Sequence, residues 1–153
     1  MGFLNNRKTA MAIMAILILF SSLTGTQRSL SSLQQKALRI FELGADGDGI
    51  SIQNDLNERA SLAYNMVTIG RKYLEEENAL IQNVLAAIDA LTEAEGPKEK
   101  YKANLTLDKA VTDLYHVLSQ MELRDVDKPY PNRLYTDFNS RNDTISHDPY
   151  NQE

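Results

Sequence analysis

Asp113 and His116 stand three residues apart, the spacing that sets a carboxylate and an imidazole on one face of a helix. Di-iron and di-manganese bundles use two such pairs plus two further inward carboxylates. The only other His, His147, lies four residues from Asp143 in a stretch poor in apolar residues, so a metal-dependent oxidoreductase lacks half of its ligand set. A second cluster, Asp46, Asp48 and Asp55, imitates a calcium loop when Gly49 is taken as the turn glycine. The first loop position then falls on Gly44, which has no side-chain oxygen, and the position after Ile50 is Ser51 instead of an aliphatic residue. Calcium binding through residues 44–55 is the alternative reading, and a solvated Gly-Asp loop the simpler one. No Gly-rich phosphate loop, nucleophile elbow or HExxH occurs.

Such residues would have to be positioned by helices. Beyond Thr26 apolar residues recur every three or four positions, with no strand-like alternation. The first segment, about Thr26 to Leu43, carries Leu30, Leu33, Ala37, Ile40 and Phe41, and Gly44 suits a left-handed cap. Ser51 caps a second helix with Leu56, Leu62, Ala63, Met66, Val67, Tyr73 and Leu74 on its stripe, and Asp55 in its first turn. Asn78 caps a third, with Leu80, Val84, Leu85, Ile88 and Leu91. Gly96-Pro97 opens a fourth, with Tyr101, Leu105, Leu107, Val111, Leu114, Leu118 and Met121. The prolines of 127–132 read as a loop before a fifth segment that ends at His147. Asp148-Pro149 starts another helix, so a C-terminal helix is expected beyond this chain. Each stripe needs a partner, and together they predict an all-α protein: an antiparallel helical bundle, with a long coiled coil as second choice because no heptad persists.

Lys and Arg number 16 against 21 Asp and Glu in 153 residues, a formal charge of −5, and cysteine is absent. Disulfide frameworks, thiolate zinc sites and cysteine nucleophiles are excluded, and an acidic chain without a basic stripe makes nucleic acid a poor partner. No cofactor is expected. Arg7 and Lys8 precede an uncharged run from Thr9 to Gln27 that is wholly apolar from Ala10 to Phe20. This layout predicts a short tail over 1–8, a transmembrane anchor over 9–25 contacting the lipid bilayer, and a helical domain over 26–153. A cleaved signal peptide shares the layout, but Leu23-Thr24-Gly25 has a bulky residue where cleavage prefers a small one. Arg28, Lys36 and Arg39 flank the other side, so charge leaves orientation open; the short tail favours an extracytoplasmic domain.

A short anchor followed by an acidic all-helical domain resembles the LemA family of bacterial membrane proteins, in its compact Gram-positive branch. The family's run Leu-x-Arg-Arg-x-Asp-Leu-Ile-Pro-Asn-Leu-Val is matched at Leu56, Arg59, Leu62, Asn65 and Val67, while Glu58, Ser61, Ala63 and Tyr64 depart from it, the last replacing a proline. Its late Tyr-Asn pair is matched by Tyr150 and Asn151. The resemblance implies a bundle behind a single anchor, with no enzymatic activity. Asn65 and Arg59 are the matched polar residues, and Asn65 is expected to hydrogen-bond across the bundle and fix its register. Together these readings describe a single-pass scaffold or adaptor of the cell envelope with protein partners, homo-oligomers among them.

Overall fold

A computed structural model describes residues 7–47 and 49–151, with the side chains of 7–10, 12, 19, 22–25 and 149 outside the description. Among the described residues the chain is all-α. Helix α1 spans Arg7–Leu43, α2 Ile52–Gly70, α3 Ala79–Glu93, α4 Gly96–Gln120 and α5 Pro129–Ser146, and a 3-10 turn covers Pro149–Asn151. The chain divides into two compact units, Met1–Ala37 and Leu38–Glu153.

The first unit is helical from Arg7 onward, and the first segment read from sequence is continuous with the apolar run that precedes it. Met11, Met14, Ile16, Leu17, Ile18 and Phe20 are each more than half exposed. Among the described residues no helix is long and apolar enough to cross a membrane, so the span expected over 9–25 is not supported. The uninterrupted run from Ala10 to Phe20 is 11 residues, about 16 Å of helix against a hydrocarbon core of about 30 Å. Several side chains of the expected span also lie outside those described.

The second unit is the bundle. Helix α2 packs on α3, α4 and α5, while α3 and α4 form a hairpin across a two-residue link. Local chemistry sets the ends. Gly44, at φ 84°, closes α1 with its N–H on the Ile40 carbonyl 2.8 Å away. Ser51 caps α2, accepting from Asn54 N at 3.2 Å while its hydroxyl donates to the Glu42 carbonyl at 3.0 Å. Asn78 accepts from Leu80 N at 2.9 Å and caps α3. Helix α2 ends at Gly70, so Tyr73 and Leu74 pack on the core from the following turn.

Three further expectations change. Pro129 and Pro131 open α5 instead of lying in a loop, because the first N–H groups of a helix have no intrahelical acceptor to lose. Asp148 caps only a 3-10 turn, accepting from Tyr150 N at 2.8 Å. On α1, Leu30 and Leu33 are exposed, while Phe41 is buried in the core of the second unit. The core itself is made by Leu56, Ala63, Met66 and Val67 of α2, Ile81 and Val84 of α3, Leu107, Val111, Leu114 and Leu118 of α4, and Phe138 of α5.

Candidate functional site

Three polar clusters tie the bundle together. Arg59, fully buried on α2, donates from Nη2 to Asp108 Oδ1 of α4 at 2.7 Å and from Nη1 to the Phe138 carbonyl of α5 at 3.1 Å. Its guanidinium carbon lies 3.7 Å from the centroid of the Phe138 ring. Burial lowers its pKa, against the opposing pull of Asp108. Asp127, 2% exposed, accepts from Lys72 Nζ at 2.7 Å, Tyr73 OH at 2.6 Å and Arg124 at 2.6 Å, and these hydrogen bonds hold its carboxyl well below the usual carboxylate range. Asp55 meets Arg141 at 3.2 Å, and there burial raises the carboxyl pKa in spite of the arginine.

These contacts settle where the sequence candidates lie. Asp55 is engaged by Arg141, Asp46 is exposed and Asp48 lies outside the described residues. No group of His, Cys, Asp and Glu able to hold a metal ion forms among the described residues. Asp113 and His116 are both exposed on α4. Of the matched motif, Leu56, Arg59 and Val67 are buried and Leu62 half-buried, but Asn65 is exposed and fixes no register. Six residues after Arg59 is more than one and a half turns, which rotates Asn65 away from the core. Tyr150 packs edge-on to Phe41 with centroids 5.5 Å apart, and Asn151 Nδ2 donates to the Ile145 carbonyl at 2.7 Å.

Where α4 begins and α5 ends, the second unit opens into a groove of about 610 Å³. Its floor is apolar, with Phe41, Ile52, Leu56 and Ile145 among the lining residues, and Tyr101 and Leu105 form an exposed wall on α4. Such a volume suits a small ligand or a short peptide. Asn104, 4% exposed, also lines it. Its Nδ2 reaches Asn142 Oδ1 at 3.4 Å, while its Oδ1 has no hydrogen-bond partner among the described residues.

No protein-family model matches the chain, and no curated protein or solved structure is significantly similar to it.

The sequence does not specify which residues line the groove, although its most unusual one left a signal. Asn104 precedes Leu107, Val111, Leu114 and Leu118 at spacings of three, four, three and four, which places an amide on a core stripe. Buried polar groups are normally satisfied, so the unpaired oxygen of Asn104 is an exception within this bundle.

Proposed function

We propose that this chain is a non-catalytic, LemA-like scaffold or adaptor of a bacterial cell envelope, held at the membrane by residues 9–25 and binding protein partners through its helical bundle. The observation that carries the tether is the row of exposed apolar side chains on α1 from Met11 to Phe20. Such a row is costly in water and favourable against lipid. The groove at the start of α4 and end of α5 supports the adaptor role, since its walls offer apolar area and amide groups.

Fractionation of cells expressing the full chain tests this reading. The chain is expected in the membrane pellet, resisting a carbonate wash, and a variant lacking residues 1–25 is expected in the supernatant. Recovery of the full chain in the supernatant would overturn the tether.

A further inference from the structure

We infer that α1 pairs with α1 of a second copy of this chain, forming a parallel two-stranded coiled coil along residues 19–37. The inference rests on the membrane tether proposed above and names one protein partner of the scaffold.

The continuity of α1 is what brings the pattern into one register. Divided into an anchor and a separate segment, the N-terminal region holds too few turns in either part to keep a heptad. Helix α1 runs unbroken from Arg7 to Leu43, so both parts share one helical phase. Along it Leu19, Leu23, Thr26, Leu30, Leu33 and Ala37 follow one another at spacings of four, three, four, three and four. That is the alternation of coiled-coil d and a positions, with Leu23, Leu30 and Ala37 at a and Leu19, Thr26 and Leu33 at d. The expectation that no heptad persists is thus corrected for α1.

The width of the stripe decides what kind of surface can cover it. From Thr26 to Ala37 the apolar residues are Leu30, Leu33 and Ala37, and all three stand at a or d. The neighbouring e and g positions are Gln27, Ser29, Gln34 and Lys36, and the far face carries Arg28, Ser31, Ser32 and Gln35. A helix lying on a bilayer surface or a bundle needs a stripe at least about 100° wide, whereas an a/d-only stripe is the narrower seam between supercoiled helices. The same narrowness sets the number of strands at two, because further strands would bury the polar e and g side chains. Leu30 is 65% exposed and Leu33 62%, so the seam is uncovered within this chain. Leu30 also lies ten residues beyond Phe20, about 15 Å farther along the helix, past the hydrocarbon that would receive the apolar run.

Charge and tether select a second copy as the occupant. Coiled coils choose unlike partners through charges at e and g. Here Lys36 is the one charged residue among those four positions, so nothing in them discriminates against an identical chain. In a parallel pair the g position of one helix faces the next e of its partner, so Ser29 meets Gln34, two uncharged side chains able to hydrogen-bond. Two tethered copies enter the bilayer from the same side, which makes them parallel and sets their leucines at equal height.

The chain has no cysteine, so single cysteines can map the seam in the full chain. Helix axes about 8–10 Å apart bring facing Cα atoms within about 6 Å, inside disulfide reach, and leave outward ones more than about 12 Å apart. Cells expressing each variant are fractionated, both fractions are treated with copper–phenanthroline, and disulfide-linked dimer is measured on non-reducing gels. Thr26→Cys, Leu30→Cys and Leu33→Cys are each expected to give at least about fivefold more dimer than Ser31→Cys, Ser32→Cys or Gln35→Cys. Adding Leu30→Asp and Leu33→Asp to Thr26→Cys sets carboxylates against each other in the seam and is expected to lower its dimer about fivefold. The Tm of the purified chain should not change, because neither leucine belongs to the bundle core.

Equal yields on the two faces, as random collision would give, would overturn the proposal. So would dimer that survives the paired aspartates, or dimer at only one of the three seam positions, the mark of an antiparallel crossing. A silent seam with the chain still in the membrane pellet defeats the pairing alone. Loss from the pellet defeats the tether, and cross-linking read in the supernatant then still decides the pairing.

Discussion

Arg59 and Phe138 are joined twice: the guanidinium carbon lies over the ring, 3.7 Å from its centroid, and Nη1 donates to the carbonyl of the same residue at 3.1 Å. This couples α2 to α5 at the centre of the bundle, with Asp108 supplying the countercharge from the side. Arg59 is fully buried while the Asp108 side chain is 44% exposed, so the cost of desolvation falls mainly on the arginine.

Removing the two partners should therefore have unequal effects. Asp108→Ala leaves a buried guanidinium without its countercharge and is expected to cost about 3 kcal/mol. Arg59→Met replaces the guanidinium with an apolar chain and leaves Asp108 free to hydrate, for a cost of about 1 kcal/mol or less. Urea denaturation of both variants checks the order, and a larger loss for Arg59→Met would refute it.

Asp127 predicts an acid-sensitive joint between the α2–α3 and α4–α5 connections. Its carboxyl pKa is lowered by hydrogen bonds from Lys72, Tyr73 and Arg124, so its contribution is complete above the unfolded value, about 4, and is lost as pH falls below it. Asp127→Asn should lower stability at pH 7 and flatten the decline below about pH 4. Denaturation midpoints at neutral and acid pH give the comparison.

Asp55 should respond in the opposite sense. Burial raises its folded pKa in spite of Arg141, so the folded state favours the protonated form. Its contribution is then fully present below the unfolded value and is lost as pH rises through the folded one. Asp55→Asn is expected to remove this falling component over the interval that begins at the unfolded value, about pH 4. A steeper decline in the variant over that interval would contradict the assignment.

Gly70, the last residue of α2, has room for a methyl group. A Cβ built there would meet Leu114 Cδ1 at 3.5 Å, an ordinary contact, and the residue is not in the left-handed region. Gly70→Ala is expected to stabilise the bundle by roughly 0.5–1 kcal/mol, chiefly by restricting the unfolded chain. Thermal unfolding measures this directly.

What could be read in advance was what is decided within a few residues. The Ser51 and Asn78 caps, the Gly44 terminus and the Gly96-Pro97 start depend on groups two to four positions away, and their side chains announce them. The burial of Arg59 depends on Asp108 and Phe138, 49 and 79 residues distant, which no local pattern specifies. The two prolines at 129–131 misled for a related reason: whether they end a loop or begin a helix turns on the residues that follow. The groove was least legible of all, since it is a space enclosed by the ends of separate helices, and Asn104 alone marked it in the sequence.

The pairing of α2 with α5 also has a consequence for birth on the ribosome. Helix α2 leaves the exit tunnel with α3 and α4 still to emerge before its main neighbour arrives. Until then Arg59 has neither the Phe138 ring nor its carbonyl, and the greasy side of α2 has only an unfinished shelter. The nascent polypeptide should accordingly depend on chaperones most heavily in the interval that closes when residues 129–146 emerge.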